Sequence, residues 1–169
     1  MIFIRNIFFF LILAQSTDVL ACECSPDKNH DKQIEESFKT YRQIFIGEII
    51  ELDSIILIKV KEVFKGSLKE EQLINIGIEG HSCSYYFGEI GYGLFYGSVI
   101  ENEFFTDVCS PSRMFDNPRL YPPPPPPLPG STPDPEGERK KMIEYLKAEK
   151  EKLEYEIEQL RKKTSANNK

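Results

Sequence analysis

Six consecutive prolines, Pro122–Pro127, decide how much of this chain can fold into a core. Proline fixes φ and removes the backbone donor, so neither helix nor sheet runs through such a stretch. With Pro129, Pro133 and Pro135 following, residues 118–137 are expected to be an extended spacer of roughly 3.1 Å per residue. Packing is left to the residues before it, and a separate element follows it. The plain reading of the spacer is a stalk. A ligand for a proline-binding domain is the sharper reading, but such domains work mainly inside cells.

The other end of the chain points to export. Residues 1–21 read as a secretory signal peptide: Arg5 gives a positive start, and Ile7 to Ala14 form a short apolar core. Gln15 to Asp18 are polar, and Val19-Leu20-Ala21 is a small-residue cleavage site. The apolar run is too short to span a bilayer, and no second long apolar run follows. The expected location is secreted, periplasmic or cell-envelope. Val19-Leu20-Ala21-Cys22 also fits a bacterial lipobox loosely, and a lipid on Cys22 would anchor the protein to a membrane. The polar run before the cysteine opposes that, as does the odd cysteine it would leave.

Between leader and spacer, residues 22–117 carry the apolar content for a core. Ile34 to Tyr41 is a candidate short helix, with Asp31 as its cap. Ile44 to Ile50 is rich in β-branched residues, and Ile55 to Val63 and Gln72 to Ile78 alternate. Tyr92 to Val99 and Glu103 to Val108 complete five candidate strands, which favours a mainly β fold, a small barrel or sandwich. Beyond the spacer, residues 138–163 form a charged helix and 164–169 a tail. Ile143, Leu146, Leu153, Ile157 and Leu160 fall at heptad spacing, with Lys150 in the remaining slot. This allows a short coiled coil, with weak self-association through the helix, or an isolated helix. On this reading the helix contributes little to the barrel.

Composition removes several functions. A net charge of -6 does not attract phosphate backbones, so nucleic acid is not an expected partner. Tyr85, Tyr86, Phe87, Tyr92, Phe95 and Tyr96 would suit a stacking surface, but few basic residues flank them, and they read as packing. There is no Gly-x-Ser-x-Gly, His-Glu-x-x-His or phosphate loop, so neither an enzyme nor a cofactor is expected. Cys22, Cys24, His30, His81 and Cys83 include soft ligands, yet zinc-knuckle spacing is missing and export favours oxidised thiols.

The four cysteines, Cys22, Cys24, Cys83 and Cys109, allow three pairings. Cys22 and Cys24 are each expected to bond a different downstream cysteine rather than each other. Which bonds which is left open by the residues themselves.

An ordered set of segments resembles a known family. A mature start at Cys22-Glu23-Cys24 is followed by Tyr41-Arg42-Gln43-Ile44-Phe45-Ile46-Gly47-Glu48-Ile49 and Val60-Lys61-Glu62-Val63-Phe64-Lys65-Gly66. Ser82-Cys83-Ser84-Tyr85-Tyr86-Phe87, Leu94-Phe95-Tyr96 and Thr106-Asp107-Val108-Cys109-Ser110 come next. Together they resemble the bacterial branch of the netrin-like, tissue-inhibitor-of-metalloproteinases superfamily over Cys22 to about Arg113. The resemblance implies a five-stranded OB-type barrel stapled by Cys22–Cys83 and Cys24–Cys109. The expected function is an exported, non-enzymatic interaction module with a protein partner. The alternatives are a lipid-anchored structural protein of the envelope and, as the resemblance implies, an inhibitor of an extracellular zinc metalloproteinase whose metal the amino and carbonyl groups of Cys22 would chelate. Glu23 would then enter the specificity pocket. Two departures stand out. Glu23 brings a carboxylate to a pocket that is usually apolar, and Gly93 replaces a tyrosine, so that strand is expected to bend or bulge.

Overall fold

The computed structural model describes residues 24, 29–77, 87, 90–115 and 135–167. Expectations for the leader, Cys22, Glu23, Cys83 and the proline run lie outside these residues.

Helix α1 spans His30–Thr40. Its cap is Asn29, not Asp31: the Asn29 side chain accepts the Asp31 N–H at 2.9 Å. Asp31 instead sits in the first turn, where a carboxylate meets the positive end of the helix. At the other end the Lys65 ammonium donates to the carbonyls of Phe38 and Tyr41, satisfying the helix terminus.

The strands are β1 (Gln43–Leu52), β2 (Ile55–Lys65), β3 (Leu73–Ile76), β4 (Gly91–Ile100) and β5 (Glu103–Phe105). A two-residue β6 (Arg113–Met114) adds to β4 and was not evident in the sequence. The order is β1-β2-β3-β5-β4, and β4 pairs back onto β1, which closes a five-stranded barrel. The β3–β5 pairing is parallel and the others are antiparallel. That order and closure are those of an OB-type barrel. Two hairpins make the tight connections. Asp53 and Ser54 have φ of 51° and 65°, and Glu101 and Asn102 have 50° and 67°. Two central residues in the left-handed region match the twist of the flanking strands.

Inside the barrel lie Phe45, Ile49, Ile58, Val60, Ile74, Phe87, Phe95 and Phe104. The rings of Phe45 and Phe95 stack at 5.3 Å, with Phe104 edge-on to both. Barrel closure bends β2, whose pairing with β1 shifts register at Ile44/Phe45 and again at Ile46/Gly47, leaving Phe64 and Lys61 as the extra residues. The bulges therefore fall in β2 rather than at Gly93. At Gly93 β4 pairs regularly with β1 and β6, and a Cβ would lie 3.0 Å from the Arg113 carbonyl and 2.8 Å from Phe95. Glycine there admits β6.

Ile44, Ile46, Phe64, Leu94 and Tyr96 face outward, yet all are buried. Two helices cover them. One is α1, through Ile34 and Phe38; the other is α2, Pro135–Asn167, through Leu153, Ile157 and Leu160. This corrects two expectations. The helix begins three residues before Glu138, with Pro135 at its start, a position that tolerates a missing N–H, and it runs on to Asn167, through residues expected to form a tail. And it is not separate from the barrel: Leu160 is fully buried and Leu153 nearly so. Arg161 makes a bidentate pair with Glu62 at 2.8 and 2.7 Å, and Thr164 donates to the Phe64 carbonyl at 2.8 Å. Half of the heptad seam is spent on the barrel, while Ile143 and Leu146 remain exposed.

Candidate functional site

The connection from β5 to β6 is held to β4 by hydroxyl groups. Thr106 Oγ1, Ser110 Oγ and Ser112 Oγ lie at 2.7, 3.2 and 3.0 Å from the Tyr96 carbonyl oxygen. Ser112 Oγ also accepts the Tyr96 N–H at 2.7 Å. Ser110 and Ser112 are buried, so these contacts replace water that cannot reach the carbonyl. Asp107 then shapes the turn. Its Oδ1 accepts the Cys109 N–H at 2.8 Å, and its carbonyl accepts the Ser110 N–H at 3.1 Å. Its Oδ2 lies 3.5 Å from the Tyr41 hydroxyl, just past α1.

Cys109 is exposed on this turn and bonded to Cys24, with the two Cα atoms 5.1 Å apart. The bridge closes a loop of 85 residues, worth about 4 kcal/mol in the chain-entropy model. It fixes the amino-terminal segment to a rigid turn at the end of the barrel where β1 begins. Beside it an open cleft of about 350 Å³ runs between Tyr41–Arg42, Ser98–Ile100 and Phe105–Asp107. An exposed guanidinium, a carboxylate and aromatic rings line it, a set that can bind.

The other anticipated residues are placed as follows. His30 lies in α1, its Nε2 3.3 Å from the Lys152 carbonyl and 4.0 Å from Glu156. Among the described residues no group of three or more His, Cys, Asp or Glu could hold a metal ion. Phe87, Phe95 and Tyr96 are buried and serve packing; Tyr92 is exposed on the outer face of β4.

One cluster escaped the sequence reading. Glu156, on α2, is 3 % exposed and lies between the Tyr96 hydroxyl and the Arg113 guanidinium, both of which donate to it. Burial, and then the neighbouring carboxylate, push the Tyr96 phenol well above its ordinary value, so it remains a donor. The three groups come from α2, β4 and β6, and they fix where the helix lands. In the sequence Glu156 is one acid among many beside the heptad seam, and nothing marks it as buried.

No family model, curated protein or solved structure matches this chain. What defines it is the strand order and closure of an OB-type barrel carrying a docked carboxy-terminal helix.

Proposed function

We propose that this is an exported, non-enzymatic binding module whose contact edge is the amino-terminal segment at Cys22–Cys24. The observation that carries the reading is the Cys24–Cys109 bridge, which anchors that segment to the hydroxyl-braced turn at Asp107–Cys109. Cys22 is two residues away, so chain geometry keeps it within about 7 Å of this anchor. A terminus held that closely loses little conformational entropy when a partner binds it. The resemblance of the ordered segments to metalloproteinase inhibitors makes a zinc endopeptidase the first partner to test, with the α-amino and carbonyl groups of Cys22 as the chelating pair. Glu23 works against this where the partner's pocket is apolar, since a buried unpaired carboxylate is costly.

The test is inhibition of a panel of zinc endopeptidases by three forms: wild type, a form with one residue added before Cys22, and Glu23→Thr. Chelation requires a free amino group, so the extension is expected to abolish inhibition. Glu23→Thr is expected to strengthen binding by about 1–3 kcal/mol in an apolar pocket. Inhibition that survives the extension contradicts chelation through Cys22. Inactivity of all three forms removes zinc endopeptidases as the partner.

A further inference from the structure

Among the described residues, two of the exposed apolar surfaces lie outside the amino-terminal site and carry opposite charge. The first is on the barrel. Ile49 and Ile58 point into the core, so their neighbours Ile50 and Leu57, paired across β1 and β2, point outward. The next outward pair is Leu52 and Ile55, 50 % and 57 % exposed at the hairpin tip. Ile90, 65 % exposed, precedes the partner of Ile49 and so lies beside Ile50. These five aliphatic side chains form one patch at the end of β1 remote from Cys24–Cys109. From Glu51 to Ile58, around the hairpin tip, the chain has two carboxylates, Glu51 and Asp53, and no basic residue. The lysines bordering the patch, Lys59 and Lys61, are already paired with Glu71 and Glu48.

The second surface is the amino-terminal half of α2. The helix meets Glu62 and Phe64 of β2 through Arg161 and Thr164, then Arg113 of β6 through Glu156. That course carries its first half past β6, away from its own β1–β2 hairpin. Met142, Ile143 and Leu146 are 37 %, 58 % and 39 % exposed there. The stretch Arg139 to Lys147 has four basic residues and one acidic one. Pairing two such helices through Ile143 and Leu146 would set Lys140 against Lys147 along an antiparallel seam, a like-charge contact.

We propose that the projecting half of α2 docks on the β1–β2 hairpin patch of a second copy of this chain. An apolar ridge with a basic rim meets an apolar face with an acidic rim, which gives both burial and electrostatic complementarity. Each copy has one ridge and one patch, so the contact is head to tail, and it either propagates or closes into a ring.

Sedimentation equilibrium of the full chain over a concentration series tests this. Wild type is expected to gain mass with concentration and to lose it at high salt. Leu52→Ser/Ile55→Ser removes the patch, and Ile143→Ser/Leu146→Ser removes the ridge; each variant alone is expected to be monomeric. Mixed in equal amounts they retain one intact patch and one intact ridge between them, so the mass is expected to reach a dimer and stop there. Should a serine variant fail to fold, Lys140→Glu/Lys147→Glu and Glu51→Lys/Asp53→Lys take their places. Each alone is expected to be monomeric, and on mixing both the native and the charge-swapped contacts form, so the mass is expected to grow past a dimer as in wild type. A wild type that remains monomeric up to millimolar concentration overturns the proposal. So does association of either variant alone, or a mixture that stays monomeric.

Discussion

Glu156 is the residue on which the helix–barrel contact turns. A carboxylate so buried is tolerated because Arg113 and Tyr96 both donate to it. Glu156→Ala would leave the Arg113 guanidinium buried without its partner, and urea unfolding should show a loss of about 3–5 kcal/mol. Tyr96→Phe removes one donor and should cost about 1–3 kcal/mol. The raised phenol value gives this residue a pH signature. Its stabilisation is complete below the ordinary tyrosine value of about 10 and is lost as pH rises through the higher folded value. Stability measured from neutral to strongly alkaline pH should therefore fall less steeply in Tyr96→Phe than in wild type. Equal slopes would show that the phenol is not held protonated by its surroundings.

Among the elements, the strands were legible and the role of α2 was not. Ile44-Phe45-Ile46 is a continuous apolar run because β1 is covered on both faces: Phe45 inside the barrel, Ile44 and Ile46 under helices. The run announced a strand, but it did not say what lay over its outer face. Conversely, Leu153, Ile157 and Leu160 announced an apolar helical stripe, and a stripe of that spacing serves a coiled coil and a sheet face equally well. The cap at Asn29, the two-residue β6 and the Glu156 cluster depend on contacts between distant segments, which local pattern does not carry. Because α2 covers outward-facing Ile44, Ile46, Leu94 and Tyr96, a chain ending at Asn117 should be less stable than the full one. Loss of Leu153 and Leu160 alone removes about 3–6 kcal/mol of burial. Thermal melting of the shortened chain checks this, and an unchanged transition would show that the barrel does not need the helix.

At the scale of the whole molecule, β1 joins the two ends proposed here as contact surfaces. The Cys24–Cys109 anchor lies near its start and the exposed hairpin patch near its finish, about 30 Å apart at the usual rise per residue. Helix α2 ties the middle together. From Glu156 back to Pro135 it covers about 30 Å, so the chain leaving the barrel at Phe115 has a comparable distance to travel before it returns. An extended proline spacer, as expected from the sequence, has ample reach for that. The barrel and the carboxy-terminal half of α2 form one folding unit, while the amino-terminal half projects. Amide hydrogen exchange of the full chain at low protein concentration tests this most directly. Amides from Leu153 to Thr164 should exchange as slowly as those of Ile44 to Ile49 and respond alike to denaturant, with Lys140 to Lys147 exchanging far faster. Fast exchange along the entire helix, with β1 still protected, would contradict the account.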